Sequence, residues 1–235
     1  MISELESIAY LEELLSAIRH KFGNTVNSLQ ITLGVLADDF SCNSNEKFKA
    51  HIDQIAQIVD QQHIILRALK HYTIFDGREI SNIFFPELWR IFIDAAEEKL
   101  AAKNITLVDQ SLPPPCKIEG NANAIHKVLV SILDNAVDAL KNCEEPVVTI
   151  TTEQNTHALI IGLSDNGEGI ADKDSTKMFT PLFSSRRNRS GMGLAISRML
   201  LHQMGGELTI SPNPNGGTVA TINLKYERSN TTITN

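Results

Sequence analysis

A heptad of apolar residues in the first part of the chain limits what this region can fold into. The residues at its main position are seven apart: Ile8, Leu15, Phe22, Leu29 and Leu36. This spacing predicts a long helix whose apolar stripe packs against other helices. Further apolar residues at Leu14, Val26 and Leu33 widen the stripe to the width that is typical of a four-helix bundle.

A second helical pattern follows the polar stretch "DDFSCNSNEK". Its apolar residues are Ile52, Ile55, Val59, Leu66 and Leu69. Two helices cannot bury such faces alone, so we expect residues 1–75 to form an antiparallel helical hairpin that builds a four-helix bundle in a homodimer.

The pattern changes after Asp76-Gly77, where we place a hinge between two domains. Residues 76–228 predict an α+β sandwich with helices on one face of a mixed sheet, and residues 229–235 a flexible tail. After a first strand from residue 78, the predicted helices are 85–104, the helix containing 129–142, and 193–204. The predicted strands are 105–112, 146–154, 157–165, 206–213 and 216–226, with a proline turn after residue 112.

Composition excludes several classes of protein. The net charge of −7 and the lack of a basic stripe argue against a nucleic-acid partner. No apolar run approaches the roughly 20 residues that span a bilayer. The three cysteines show no metal-type pairing, which favours a reduced interior. We therefore expect a cytoplasmic protein, either standalone or part of a longer sensor, with no membrane segment in this chain.

Three motifs carry the chemistry. In "LVSILDNAVDALKN", residues 129–142, Asp134, Asn135 and Asp138 interrupt an apolar stripe, and the neutral amide oxygen of Asn135 suits a magnesium ion. Taken alone, these residues are equally well explained as the solvated edge of a helix. In "SDNGEGI", residues 164–170, Asp165 ends a strand where a carboxylate can accept a hydrogen bond from an amino group such as that of adenine.

The glycines near these residues point to a phosphate ligand. Gly167 and Gly169 allow positive φ and close approach of the backbone to a ligand. In "RRNRSGMGLAISRMLLHQMGG", residues 186–206, Gly191 and Gly193 open a helix whose free N–H groups can bind phosphate, with Arg186 just ahead of it. Each motif alone has a simple alternative, a turn or a solvated charge run.

Together, in this order, the motifs make residues 78–227 resemble the ATP-binding domain shared by histidine kinases, DNA gyrase, MutL and the related heat-shock chaperones. "ILDNAVDAL" is similar to the N box, "DNGEGI" to the first glycine box, "MFTPLFSS" to the F box and "SGMGLAIS" to the second. The resemblance implies that ATP and Mg²⁺ are cofactors and that Asn135 is the metal ligand. It also implies nucleotide contacts from Asn135, Asp138, Asp165, Gly167, Gly169, Arg186, Ser190, Gly191, Gly193 and Thr218.

One position separates branches of this family. The ATP-hydrolysing branches carry a glutamate four residues before the magnesium asparagine, where this chain has Ser131, a poor general base. Histidine kinases usually have asparagine there, so Ser131 departs from both groups. Hydrolysis as the main activity is disfavoured.

A nucleophile is expected in the first helix. His20 falls at heptad position f, which points away from a bundle core, and "HKFGN" resembles the H box of histidine kinases. The resemblance implies that His20 accepts the phosphoryl group and passes it to a response-regulator receiver domain. Asn24 matches the position that positions water for dephosphorylating that partner. Lys21 replaces the family's acidic residue and predicts a weakened autokinase.

These features predict a histidine kinase of a two-component system. Three alternatives remain open: a phosphotransferase or phosphatase with little autokinase activity, a scaffold whose ATP domain binds no nucleotide, and an ATPase or serine kinase of the anti-sigma type. The pattern of Asn135, Asp165 and the paired glycines argues against the scaffold, and Ser131 together with His20 against the last class.

Overall fold

The structure, a computed structural model, describes residues 4–39, 49–60, 62, 80–156, 158–184 and 189–227. The chain forms two compact units. The first contains residues 80–179 and 193–227, and the second contains the N-terminal helices and residues 180–192. The predicted hinge at residues 76–77 and the predicted tail at 229–235 lie outside the described residues.

The second unit is built on one long helix. Helix α1 spans Glu4–Asp39, as the heptad predicts, and residues 49–60 form a further helical segment, α2. A side-chain hydrogen bond links α1 to the end of this segment, since Gln62 Nε2 donates to Thr25 Oγ1 at 2.6 Å. Several apolar side chains on the two helices are exposed, with Val26 50% and Ile31 68% accessible.

The first unit alternates strands and helices. Its helices are α3 (Phe85–Ala101), α4 (Ala122–Ala139), α5 (Asp172–Ser175) and α6 (Gly193–Gln203). Its strands are β1 (Ser81–Phe84), β2 (Thr106–Ser111), β3 (Lys117–Gly120), β4 (Val147–Gln154), β5 (Ala158–Asp165), β6 (Glu207–Pro212) and β7 (Thr218–Glu227).

The seven strands form one mixed sheet in the order β1-β3-β7-β5-β4-β2, with β6 also paired to β7. Strands β2 and β4 are parallel, and the other pairs are antiparallel. The register aligns Val148 of β4 with Asp165 of β5, and Ser164 of β5 with Val219 of β7. The predicted α+β fold with a mixed sheet is therefore confirmed.

Burial alternates along the sheet. In β5 the residues Leu159, Ile161, Leu163 and Asp165 are buried, whereas the residues between them are half-buried. This period of two shows that one face of the sheet is covered. The helices supply the opposite side of the core from their apolar faces: Phe85, Trp89 and Phe92 on α3, Ile125, Leu129 and Leu133 on α4, and Leu200 and Leu201 on α6.

Two short elements differ from the predictions. Strand β3, Lys117–Gly120, lies where the sequence predicts only a proline turn, because its four residues are held by pairing to β1 and β7 rather than by a pattern of their own. Helix α5 lies in the region predicted as irregular. Helix α4 begins at Ala122, where Asn121 Oδ1 accepts a hydrogen bond from Ala124 N as an N-cap. Among the described residues, no helix is long and apolar enough to cross a membrane.

Candidate nucleotide-binding site

One face of helix α4 brings the predicted motifs together. Ser131, Asn135 and Ala139 are four residues apart and therefore lie one above another along this face. At one end, a Cβ built on Gly193, the first residue of α6, would lie 2.8 Å from Ser131 Oγ. At the other end, Glu168 N donates to the carbonyl oxygen of Ala139 at 3.2 Å. Asn135 thus lies along α4 between the residue that contacts Gly193 and the residue that contacts Glu168.

Asn135 differs from its acidic neighbours. Its Nδ2 atom is buried and has no hydrogen-bond partner within the protein. An unpaired buried donor costs about 1–3 kcal/mol, so a group that supplies an acceptor there would recover this cost. Asp134 instead pairs with Lys99 of α3, and Asp138 pairs with Lys141 at 3.0 Å. The three polar residues that interrupt the apolar stripe therefore have different surroundings.

Asp165 ends β5 and is only 6% exposed. Its Oδ1 atom accepts a hydrogen bond from Gly167 N at 2.9 Å, and its backbone carbonyl oxygen accepts one from Asn213 Nδ2 at 3.1 Å. A Cβ on Gly217 would lie 2.7 Å from Oδ1 and would also collide with the carbonyl oxygen. The turn between β6 and β7 is therefore packed against the carboxylate that sequence analysis assigns to adenine.

Two different structural causes require glycine at the two glycine positions of the first motif. Gly169 has φ +72°, and its added Cβ would lie 3.3 Å from the carbonyl oxygen of Gly217. Gly167 is not among the residues with positive φ. It is needed because a Cβ would meet the backbone of Ala139, 2.7 Å from its carbonyl carbon. Close packing of α4 against the end of β5 therefore excludes a side chain there.

Two asparagines that were not predicted as site residues hold this region. Asn166 Oδ1 accepts a hydrogen bond from Val147 N, and its Nδ2 donates to the carbonyl oxygen of Glu145, both at 2.8 Å. These bonds tie the start of β4 to the residue after Asp165. Asn213, described above, does the same for the β6–β7 turn. The stretch "NPNGG" signals a turn, but nothing in it indicates which residue the turn contacts.

The second glycine motif is divided between the two units. Gly193 belongs with α4 and α6, whereas Ser190 and Gly191 belong with the helical unit. Gly191 has φ +66°, and a Cβ there would lie 2.6 Å from the carbonyl carbons of Leu182 and Phe183. Ser190 Oγ accepts a hydrogen bond from Met192 N at 3.2 Å. Arg186 lies outside the described residues.

An aromatic contact connects the F box to α6. The guanidinium carbon of Arg198 lies 4.8 Å from the ring centroid of Phe179, the distance of a cation–π interaction. Both residues belong to the first unit. Arg198 therefore connects the middle of α6 to Phe179, the last F-box residue that belongs to this unit.

The predicted phosphate acceptor lies on α1. His20 is exposed, and Asn24, one turn later, is also exposed, with its Nδ2 atom 3.3 Å from His20 Nδ1. Lys21 is exposed as well. The imidazole and the amide therefore lie in contact on the helix surface.

The residues present fit ATP and Mg²⁺. No group of three or more His, Cys, Asp or Glu in the described residues could hold a metal ion. Asn135 offers a neutral amide oxygen, and its unpartnered Nδ2 calls for an acceptor such as a phosphate oxygen. Mg²⁺ commonly takes one or two protein ligands and completes its coordination with substrate phosphates and water. A single amide ligand on α4 is sufficient for this mode.

Residues 120–228 match the family described as histidine kinase-, DNA gyrase B-, and HSP90-like ATPase. This range includes the α4 face, the end of β5 and the start of α6. Within this range the chain is similar to the ATP-binding domains of that family. The family resemblance seen in the motifs is confirmed.

Sensor kinases match parts of the chain outside this range as well. The C4-dicarboxylate transport sensor protein DctB of Rhizobium meliloti is 33% identical over 48% of this chain and 18% of its own length. The sensor histidine kinase ZraS of Klebsiella oxytoca is 23% identical over 93% of this chain and 47% of its own. The chain therefore spans less than half the length of these relatives.

Solved structures show the same fold. The catalytic domain of the histidine kinase ThkA is 24% identical, with a TM-score of 0.56 over 63% of this chain and 95% of that domain. The structure of ThkA in complex with the response regulator protein TrrA is 20% identical, with a TM-score of 0.62 over 94% of this chain and 64% of the other.

Proposed function

We propose that the chain is an ATP-dependent histidine kinase of a two-component system. It binds ATP in the first unit, transfers the γ-phosphoryl group to His20, and passes this group to an aspartate of a response-regulator receiver domain. The observation that carries the proposal is the face of α4, where the buried, unpartnered amide nitrogen of Asn135 lies between the contact of Ser131 with Gly193 and the contact of Ala139 with Glu168.

Each element of the site has a role in nucleotide binding. Asp165 accepts a hydrogen bond from the adenine amino group, and Thr218, at the start of β7, supports that pocket. Asn135 holds Mg²⁺. The remaining proposed contacts surround the phosphates or shape the lid: Asp138, Gly167, Gly169, Arg186, Ser190, Gly191 and Gly193. The N–H groups at the start of α6 provide a favourable field for phosphate.

Phosphoryl transfer needs positioning and charge neutralisation more than covalent help from the protein. A nitrogen lone pair of His20 forms a bond to the γ-phosphorus, and the bond from that phosphorus to the β,γ-bridging oxygen breaks, so that ADP leaves with the electron pair. Bound Mg²⁺ supplies neutralisation of the phosphate charge. Ser131, at the position of the water-activating glutamate in hydrolysing relatives, is a poor base, which protects the bound ATP from hydrolysis.

The helical unit would provide the acceptor and the dimer interface. We expect α1 and α2 to pair as a hairpin that forms a four-helix bundle with a second copy. Its support is the set of exposed apolar side chains on these helices, Val26, Ile31, Leu33, Val35, Ile52 and Val59, which one copy leaves accessible. The receiver domain would dock on this hairpin beside His20.

A second candidate function follows from Lys21. An acidic residue after the histidine orients the ring and takes its proton, and a protonated lysine can do neither. Asn24, which positions water in related kinases, is present. A phosphotransferase or phosphatase with weak autokinase activity is therefore favoured over a strong kinase if phosphorylation by ATP proves slow.

The experiment is incubation of the full chain with γ-labelled ATP and Mg²⁺. We expect label on the wild type and none on His20→Gln, with wild-type labelling of His202→Gln, a control at an exposed histidine on α6. The label should be lost in acid, because phosphohistidine is acid-labile and phosphoserine is not. Equal labelling of His20→Gln would refute His20 as the acceptor.

Nucleotide binding is tested separately by calorimetric titration with ATP and Mg²⁺. Asn135→Ala and Asp165→Asn should each weaken binding by at least about tenfold, which is 1.4 kcal/mol. Asn142→Ala, in the exposed turn after α4, is the matched control and should bind as the wild type. A wild-type chain that binds no ATP would identify a scaffold instead of a kinase.

A further inference from the structure

Among the described side chains of α1, no carboxylate contacts His20. Lys21 follows it, and the polar side chain that contacts the imidazole among the described residues of α1 is the amide of Asn24, with Nδ2 3.3 Å from Nδ1. The backbone beneath this pair is fixed, because Thr25 Oγ1 donates to the carbonyl oxygen of Lys21 at 2.9 Å and accepts from Gln62. The contact between His20 and Asn24 is therefore made by two exposed side chains on a helical turn whose backbone is hydrogen-bonded to Thr25.

An asparagine can act on a neutral imidazole in two opposite ways. Its nitrogen donates and its oxygen accepts, and a rotation of 180° about the last side-chain torsion exchanges them. A neutral imidazole carries one proton, on either Nδ1 or Nε2. When Asn24 Nδ2 donates to Nδ1, the ring proton resides on Nε2. When Asn24 Oδ1 accepts from Nδ1–H, the lone pair is on Nε2.

We propose that Asn24 is a positioning residue that sets the tautomer of His20 and thereby the reactivity of its outward nitrogen. This rests on the proposed function of His20 as the phosphate acceptor. When Asn24 Nδ2 faces Nδ1, the ring proton belongs on Nε2, which then cannot attack, so this orientation of the amide disfavours autophosphorylation. Rotation of the amide places the proton on Nδ1 and frees Nε2.

The transfer then balances without a protein base. The Nε2 lone pair forms the bond to the γ-phosphorus, the bond to the β,γ-bridging oxygen breaks, and ADP departs with that electron pair. The ring becomes cationic and loses its Nδ1 proton to water, because the amide oxygen of Asn24 accepts a hydrogen bond but not the proton. A carboxylate at position 24 would accept the hydrogen bond from Nδ1–H and then the proton itself. It would present no donor to Nδ1.

The substitutions that test the proposal follow from this difference. Asn24→Asp can only accept, so it should hold the proton on Nδ1 and raise the initial rate of His20 labelling severalfold. Asn24→Leu removes both interactions, leaves the ring to its intrinsic tautomer preference, and should raise the rate less than Asn24→Asp. Asn27→Asp is the control for charge: it lies seven residues from His20 on the same face, about 10 Å along the helix and beyond hydrogen-bond reach.

The direct measurement is the ¹⁵N chemical shifts of the ring in histidine-labelled full-length protein, with the His20 signals assigned by their loss in His20→Gln. We expect the wild type to be protonated at Nε2 and Asn24→Asp at Nδ1. The same tautomer in wild type, Asn24→Asp and Asn24→Leu would overturn the proposal, as would equal acceleration by Asn27→Asp. Label on His20 with an unchanged tautomer refutes this inference alone, whereas absence of label in every variant refutes the proposed kinase.

Discussion

Asn213 donates a hydrogen bond of 3.1 Å from its side-chain nitrogen to the backbone carbonyl oxygen of Asp165. The same turn brings Gly217 so close to Asp165 that a Cβ would collide with that carbonyl oxygen. The position of the proposed adenine-binding carboxylate is therefore set by a turn 48 residues further along the chain.

This packing predicts different results for two adjacent glycines. Gly216 and Gly217 have φ of +95° and +85°, so alanine strains the backbone of both, by about 1–2 kcal/mol. A Cβ on Gly216 meets nothing within 4 Å, whereas one on Gly217 meets Asp165. We expect Gly217→Ala to weaken ATP binding strongly and Gly216→Ala to change stability alone. Calorimetric titration and chemical denaturation of both variants measure this, and equal ATP affinities would contradict it.

The contact between Gly193 and Ser131 predicts a coupled pair. Gly193→Ala would place a methyl group 2.8 Å from Ser131 Oγ and should push the start of α6 away from α4, which weakens ATP binding. In a Ser131→Ala background this clash is removed, so the same change should cost less. A double-mutant cycle on ATP affinity should give a coupling of about 0.5–3 kcal/mol. Additive effects of the two substitutions would show that the residues do not restrict each other.

Lys21 predicts the rate of autophosphorylation. Lys21→Glu restores a carboxylate beside His20, which can orient the ring and accept its proton, so labelling from γ-labelled ATP should be faster than in the wild type. Lys21→Gln removes the positive charge without adding a base and serves as the control. An unchanged or slower rate in Lys21→Glu would eliminate Lys21 as the cause of a weak autokinase.

The two described cysteines should differ in reactivity. Cys116 is buried, and burial raises the pKa of its thiol above the usual value of 9.0, although a backbone hydrogen bond partly opposes this. Cys143 is half-buried, with Sγ 3.7 Å from the carbonyl oxygen of Asn166. In a Cys42→Ser chain, a thiol reagent at neutral pH should modify Cys143 first and Cys116 only on unfolding. Faster modification of Cys116 would contradict its burial.

The same pKa shift predicts a dependence of stability on pH. Because folding raises the pKa of Cys116, the unfolded chain loses this proton first as the pH rises. The unfolded state therefore binds fewer protons above about pH 9, and the free energy of unfolding falls there. Cys116→Ala should remove this part of the decrease, which denaturation at pH 8 and pH 10 can measure.

The main features of the fold and site were predictable because each has a local signature. Asp165 ends an apolar run of alternating burial, and Gly193 opens a helix, so their residue types and spacing mark their positions. Asn135 stands out as a polar residue on a helical stripe. Each of these signals comes from residues that are close together in the sequence, so it can be read from one sequence alone.

The remaining features depend on partners that are distant in sequence. Strand β3 is extended because β1 and β7 pair with it, and its four residues carry no pattern that is distinct from a loop. The roles of Asn166 and Asn213 likewise come from the backbone groups that the fold brings to them. The sequence does not show whether Gly167 serves a positive φ or a close approach of the backbone, and the structure gives the approach of Ala139 as the reason.

Strand β7 pairs with β3, β5 and β6, although it is the last in sequence of the strands that the structure describes. During synthesis, the strands made earlier must wait for Thr218–Glu227 to leave the ribosome before the sheet can close. Until then β5 lacks its pairing with β7. Its apolar side chains and its open edge are accessible to chaperones and to other nascent chains. The order of strands thus makes maturation of the nucleotide domain a late event, completed when translation of this region ends.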